Sequence, residues 1–473
     1  VDAAQNYWDG ATTAQEIGVR TVDFFDDINL GEVSYSPVYD SPDGSLKPVD
    51  MSSINAPSGD VGPTSVSGPI MSMWTLTERG SPYNVIADTL TVGENNMITV
   101  KAGANILVAS GKSFTVRNAI RVEGTASSPV VFQGAAGGGS GDSGGGGGGG
   151  GEYSSSQALL SMSKTNLDTS FITHAHFKNA DDCLRLNGDT SEHNPGDKNS
   201  GTMIVTMSLF ENCNIRTRGY EAGDALVFNH STFTKVTFTG HYPRTEKIEL
   251  HNSVITDSVL NHDSYHKGFV LDGSVVYRSK FTDGCCNPGF TIKKSSFYDC
   301  PDMNFGGLIE DSVIMDSVLK GAGSQNGRLI VRRSVLNVTS LEKIRALEGG
   351  SSVTSFITSM IETMEDSRVE CGGTAAGVLG GYEQNGYSGS QTSTVTNVDF
   401  VGCSPAMTTG MVTTIRQVNF YDTTIAIKVK GAKDVDAAQN YWDGATTAQE
   451  IETKVHHFVD LTSLGIVSSS APF

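Results

Sequence analysis

From Thr169 to Thr424, apolar and polar residues alternate in short phrases that recur at a nearly fixed interval. Met207-Ser208-Leu209-Phe210-Glu211-Asn212-Cys213 is followed by His230-Ser231-Thr232-Phe233-Thr234-Lys235-Val236 and by Asn252-Ser253-Val254-Ile255-Thr256-Asp257-Ser258. Gly273–Ser279, Lys294–Cys300, Asp311–Ser317 and Arg333–Thr339 continue the series. Successive serines, from Ser208 to Ser334, stand 23, 22, 21, 21, 17 and 22 residues apart. Alternation over so few residues predicts short β-strands, and most phrases precede a loop and a further strand such as Gly268-Phe269-Val270-Leu271. A period of this length, built of strands without helices, predicts an all-β, right-handed parallel β-helix, a solenoid. A leucine-rich repeat has similar spacing but would carry a Leu and Asn signature that is absent here.

In such a coil, equivalent positions of successive turns stack into columns. The position five residues beyond each serine holds Cys213, Val236, Ser258, Ser279, Cys300, Ser317 and Thr339. Asn397–Cys403 and Gln417–Thr423 fit the same frame, adding Cys403 and Thr423. Small residues suit a narrow interior corner, so Cys213, Cys300 and Cys403 read as buried small side chains. None of these three occupies a turn next to another, so no disulfide among them is expected. Asn84–Phe132 has a shorter rhythm, with strands broken at Gly103 and Gly111, and reads as the opening turns.

The ends of the chain carry a second kind of repeat. Residues Val1–Ile17 recur without change as Val435–Ile451, an offset of 434 residues. The likeness continues at Phe24, Asp26, Leu30 and Gly31, which match Phe458, Asp460, Leu464 and Gly465. The sequence is thus expected to hold a closing segment of a preceding unit (1–40), a Pro/Ser/Gly-rich linker (41–81), the parallel β-helix (82–434) and its own closing segment (435–473). Tyr7, Trp8, Tyr441 and Trp442 are the candidate cap and interface residues. Gly137–Gly151, Gly188–Gly201 and Tyr382–Thr392 read as surface loops leaving the coil. Val1 lies inside a repeated motif, so the sequence reads as an excerpt of a tandem array.

Composition narrows the partners. The formal charge is −19 with 54 glycines, which argues against nucleic acid, whose phosphates call for clustered Lys and Arg. No apolar run is long enough to span a bilayer, so no membrane insertion is expected. Seven cysteines at irregular spacing fit neither a disulfide framework nor a zinc pattern. Asn229-His230-Ser231 and Asn337-Val338-Thr339 are candidate glycosylation sites, at Asn229 and Asn337.

At both ends of the unit the chain resembles the secreted, pectin-lyase-like, right-handed parallel β-helix surface proteins. The resemblance is carried by Leu90–Gly103 and Glu123–Phe132 at the opening, and by Asn440-Tyr441-Trp442-Asp443-Gly444 with Asp460 to Val467 at the close. It implies an extracellular, secreted or cell-surface protein, in a family whose members include polysaccharide lyases, glycosidases, adhesins and passive fibres. The Asn-Thr-Asp, Gly-His-Gly and Arg-Ile-Lys motifs of the family's pectin-type glycosidases are missing; only Asp-Asp occurs, at Asp26-Asp27 and Asp181-Asp182.

One concentration of reactive side chains remains. Loops of consecutive turns should bring together His241, His262, Asp263, His266, Asp283, Cys285 and Cys286, a candidate metal or acid/base cluster whose spacing matches no known ligand pattern. His174 and His176, two apart, are expected to share one strand face as exposed polar residues. No catalytic residue and no cofactor is assigned. The reading is a non-enzymatic filament, stalk or adhesin subunit that associates head-to-tail with neighbouring units and is capable of meeting surface glycans. A polysaccharide-cleaving enzyme and a carbohydrate-binding module are the rival classes.

Overall fold

The computed structural model describes residues 63–66, 74–86, 90–91, 97–117, 119–135, 157–163, 167–187, 201–218, 225–241, 247–262, 268–283, 289–321, 329–342, 344–348, 350–354, 363–371, 378–379, 393–403, 407–409, 413–422, 427–429, 435–436, 440–442 and 444, with strand pieces at 38–39, 46–47 and 455–456. The first closing segment apart from Val38–Tyr39, nearly all of the linker to residue 62, and the loops expected at 137–151, 188–200 and 382–392 lie outside the described residues. Contacts divide the chain into two compact units, residues 1–236 with 244–246, and residues 237–243 with 247–473.

Each unit is a parallel β-helix whose turns carry three strands. In the first unit, the first strands stack as Ile172 on Val205 and Met203 on Leu226. The second strands stack as Phe132, Phe177 and Phe210, and the third as Leu160, Leu184 and Ile215. In the second unit the three columns run Ile248, Phe269, Phe290, Gly307, Leu329; then Ile255, Val276, Phe297, Ile314, Leu336; then Leu260, Phe281, Met303, Leu319, Leu341. A parallel ladder in register puts every second residue of each strand inside, which is why these apolar positions alternate in the sequence. Stacking brings like residues together at the strand spacing. The Phe132, Phe177, Phe210 and Phe233 rings follow one another at 4.7, 4.9 and 5.2 Å between centroids.

The coil begins earlier than its composition suggests. Thr64–Val66 pairs in parallel with Tyr83–Val85, and Trp74–Leu76 with Ile98–Val100. Thr64, Val66, Trp74 and Leu76 are buried. The 41–81 linker therefore ends in coil strands, because two short strand-forming phrases are embedded in its Pro- and Ser-rich surroundings.

Two tight corners join the three strands of a turn, and both are built alike. A residue in the left-handed region precedes a small buried one: Met207 before Ser208, His230 before Ser231, Asn252 before Ser253, Lys294 before Ser295, Asp311 before Ser312 and Arg333 before Ser334 at the first corner. Asn212 before Cys213, Lys235 before Val236, Asp257 before Ser258, Arg278 before Ser279, Asp299 before Cys300 and Asp316 before Ser317 form the second. A non-glycine residue there costs about 1–3 kcal/mol, so each corner needs compensation. The serine supplies it. Ser295 donates its hydroxyl to the Lys293 carbonyl across the corner at 2.7 Å and accepts the Ser274 N–H from the preceding turn at 3.1 Å. The same paired bonds recur at Ser274, Ser312 and Ser334, so each hydroxyl satisfies an N–H that the bend would leave orphaned and adds a second donor to a carbonyl that already accepts one from the backbone. Ser351 extends the ladder by accepting the Ser334 N–H at 3.4 Å.

The second column differs from expectation at three places. Thr339 is exposed; the strand bulges, and Val338 lies opposite Ser317 as the buried residue. Cys213 and Cys403 are buried, but each is half of a disulfide, Cys183–Cys213 and Cys371–Cys403. The irregular spacing of the cysteines thus concealed two bridges. Cys300 is the buried free thiol of the column, among the described residues. Thr423 lies outside them.

Candidate functional site

The closing turn is the best-defined special feature of the coil. Thr413–Arg416, Asn419–Tyr421 and Ile427–Val429 form one rung, and the second copy of the repeated motif opens the next, whose third strand, Val455–His456, pairs with Ile427 and Lys428. Val435–Asp436 pairs in parallel with Thr413 and Thr414, and Tyr441–Trp442 with Asn419 and Phe420. Between these strand pieces Asn440 is 5% exposed, and its carboxamide takes over the serine role. Its Oδ1 accepts the Val418 N–H at 2.9 Å, and its Nδ2 donates to the Ile415 carbonyl at 3.0 Å. At the same corner of a middle turn, Ser274 makes the same two bonds, to the Ser253 N–H at 3.2 Å and the Leu250 carbonyl at 2.9 Å. Asn440 was not singled out in the sequence, although it follows Val418 by 22 residues, an interval of the ladder itself.

The Tyr441 ring packs against Tyr421, tilted by 41°, with 5.5 Å between centroids. Burial, with Asp399 nearby, pushes the Tyr421 phenol above its ordinary range. The side chain of Trp442, and Tyr7 and Trp8 entirely, lie outside the described residues.

The candidate metal cluster is placed only in part. His241, His262 and Asp283 are the last residues of strands Thr232–His241, Val259–His262 and Lys280–Asp283. His262 and Asp283 are register partners in adjacent turns, so the strands do deliver these positions to one sheet edge. Their side chains, and Asp263, His266, Cys285 and Cys286, lie outside the described residues.

The other candidate residues have ordinary environments. His174 sits on a corner at φ 47°, with its Nδ1 3.0 Å from Thr173 Oγ1, while His176 projects from the following strand with Nε2 2.7 Å from Glu211 Oε2. The corner breaks the strand between them, so the two do not share one strand face. Asn229 ends a strand, and Ser231 of its sequon is buried with its hydroxyl donated to the Asn229 carbonyl. Asn337 is half-buried on Val335–Glu342, and Thr339 donates to the Ser317 carbonyl at 3.1 Å.

Charged residues form ladders on the outside. Arg278 grips Asp257 with two bonds of 2.7 and 3.0 Å, and Arg333 grips Asp311 likewise while reaching Glu310 at 2.8 Å. The hydrogen bonds from Arg333 hold Asp311 and Glu310 below the usual carboxylate range. Burial pushes Glu249 upward, but hydrogen bonds from His251 and Lys247 outweigh it, and the group stays below its ordinary value. Asp182 is wholly buried and is compensated by Arg185 at 2.5 Å and Arg216 at 3.4 Å. Among the described residues no group of three or more His, Cys, Asp or Glu side chains could hold a metal ion.

No family model matches the chain, and no curated protein or solved structure shows significant similarity to it.

Proposed function

We propose that this chain is a non-enzymatic structural repeat protein, a building block of an extracellular filament, stalk or surface adhesin. The observation that carries this reading is the duplicated motif. Its second copy joins a coil by backbone pairing and by Asn440, and the same motif occurs again 434 residues upstream. A chain that carries such a motif twice is suited to serial repetition. Stacked, hydrogen-bonded turns resist deformation, which suits a load-bearing or spacing role. The two disulfides support work in an oxidising compartment outside the cell. Head-to-tail repetition of a heterologous contact then extends without closing.

Electron microscopy of native material tests the reading: linear assemblies or surface-anchored rods are expected, and monodisperse single units would overturn it. A panel of polysaccharides assayed for new reducing ends or unsaturated products addresses the enzymatic alternative, with no turnover expected.

One observation favours a second reading, a non-catalytic glycan-binding face. Tyr277, 36% exposed, stacks on Tyr298 at 5.3 Å on the outside of adjacent turns, a flat aromatic surface of the kind sugar rings pack against. Glycan binding that is lost in Tyr277→Ala would support it.

A further inference from the structure

We propose that the coil turn beneath the second repeated motif, Thr413–Tyr421, is an acceptor site for the same motif of a second copy of this chain, and that Val1–Trp8 is the segment that fills it. The proposal rests on the structural reading above and gives it an atomic contact. A coil that ended at Thr413–Tyr421 would offer a row of backbone donors and acceptors with no further turn to meet them. In this chain Val435–Trp442 meets them through two stretches of parallel pairing, and the N–H of Tyr441 bonds the Val418 carbonyl at 2.9 Å.

Every residue of these two stretches is duplicated, whereas Val455 and His456, which pair with Ile427 and Lys428 in the same turn, stand where the first copy has Thr21 and Val22. Val1, Asp2, Asn6, Tyr7 and Trp8 correspond to Val435, Asp436, Asn440, Tyr441 and Trp442, within a stretch of 17 identical residues. The side-chain recognition is also specific. Asn440 completes the corner by accepting from Val418 and donating to Ile415, two bonds that need both ends of a carboxamide. Asn6 offers the same group at the same place in the motif.

Over these two stretches the two copies therefore have the same contacts to offer the same acceptor. What favours Val435–Trp442 in its own chain is its tether, which keeps it at an effective concentration in the millimolar range. Weakening that copy alone, or crowding chains together in an array, lets a neighbour's Val1–Trp8 take the site. The result is a link between copies made by exchanging closing segments.

The test uses the full chain. Asn440→Ala removes the carboxamide from the tethered copy and leaves Asn6 intact; sedimentation is expected to show concentration-dependent association. Asn6→Ala with Asn440→Ala is expected to return the protein to monomers. If the single variant stays monomeric, or the double variant associates equally, the proposal fails. Because loss of Asn440 could unravel the turn, a cross-link gives an independent measure. Tyr7→Cys chains are mixed with Tyr421→Cys chains, both carrying Asn440→Ala, and mildly oxidised. By analogy with the Tyr421–Tyr441 contact, intermolecular disulfides should form at least tenfold more than with Tyr277→Cys, a tyrosine of a middle turn. Equal yields would overturn the site. Fibres in native material without this cross-link would leave the structural reading standing and refute the exchange. The specific cross-link in a protein that never forms fibres would do the reverse.

Discussion

Ser295 accepts the backbone N–H of Ser274 through its hydroxyl, at 3.1 Å, and the two serines belong to the same corner of consecutive turns. Because Ser295 also donates to the Lys293 carbonyl, one oxygen satisfies a group in each of two turns. Ser295→Ala should therefore orphan the buried Ser274 N–H, while the Lys293 carbonyl keeps its bond from the Gly273 N–H. A loss of about 2 kcal/mol is expected in urea unfolding, with the Ser274 amide among those whose hydrogen exchange accelerates most. An effect below about 0.5 kcal/mol would mean that the ladder contributes little.

Cys300 occupies the second corner column, where it is closed to solvent. Burial pushes its thiol above the ordinary cysteine range, so it is protonated at neutral pH. In the native protein a maleimide should leave the Cys300 peptide unlabelled, and unfolding should expose it to full reaction. Cys300→Ser should be tolerated, because Ser279 and Ser317 fill the same position one turn to either side.

The bridge between Cys371 and Cys403 spans 32 residues of chain, and that between Cys183 and Cys213 spans 30. Closing a loop of that length restricts the unfolded chain, and the chain-entropy account assigns about 3.6 kcal/mol to each. Peptide mapping of unreduced protein should recover these two pairs. Cys371→Ser with Cys403→Ser should lower the urea midpoint and release the turns around them first in hydrogen exchange.

Arg333 sets a pH dependence of a definite sign. It holds Asp311 and Glu310 below their unfolded pKa values, which are about 3.9 and 4.3. Their contribution to stability is present in full above those values and is lost as pH falls through the lower, folded ones. Both groups face solvent, so salt should screen the effect. Comparison of wild-type and Arg333→Met unfolding at pH 6 and pH 2.5 should show the difference between the proteins shrinking at the acid end. A difference that is constant with pH would refute the assignment.

The coil was legible in the sequence because one backbone task recurs in every turn. A left-handed corner followed by a small hydroxyl residue leaves the same phrase each time, and Ser208, Ser231, Ser253, Ser274, Ser295, Ser312 and Ser334 are all buried. The disulfides were not legible, for a reason of spacing. The stretches 188–200 and 380–392, outside the described residues, lengthen the paths from Cys183 to Cys213 and from Cys371 to Cys403 beyond the interval of 17 to 23 residues that marks a turn. Thr339 was misplaced because a bulge shifts the strand by one residue, and periodicity carries no mark of a bulge. Asn440 escaped notice since a carboxamide does there what a hydroxyl does elsewhere. Of the His, Asp and Cys cluster, the alternation of strand and loop foretold the shared edge of His262 and Asp283 and nothing about side-chain geometry.

The left-handed corner also divides labour between two adjacent positions. The buried residue is, through the middle turns, held to a small hydroxyl, whereas the residue before it is answerable only for its backbone shape: Asn252, Lys294, Asp311 and Arg333 all serve. A column of outward positions is thereby released from the demands of folding. Its charges can be rewritten, turn by turn, to change what the surface attracts while the scaffold beneath stays the same.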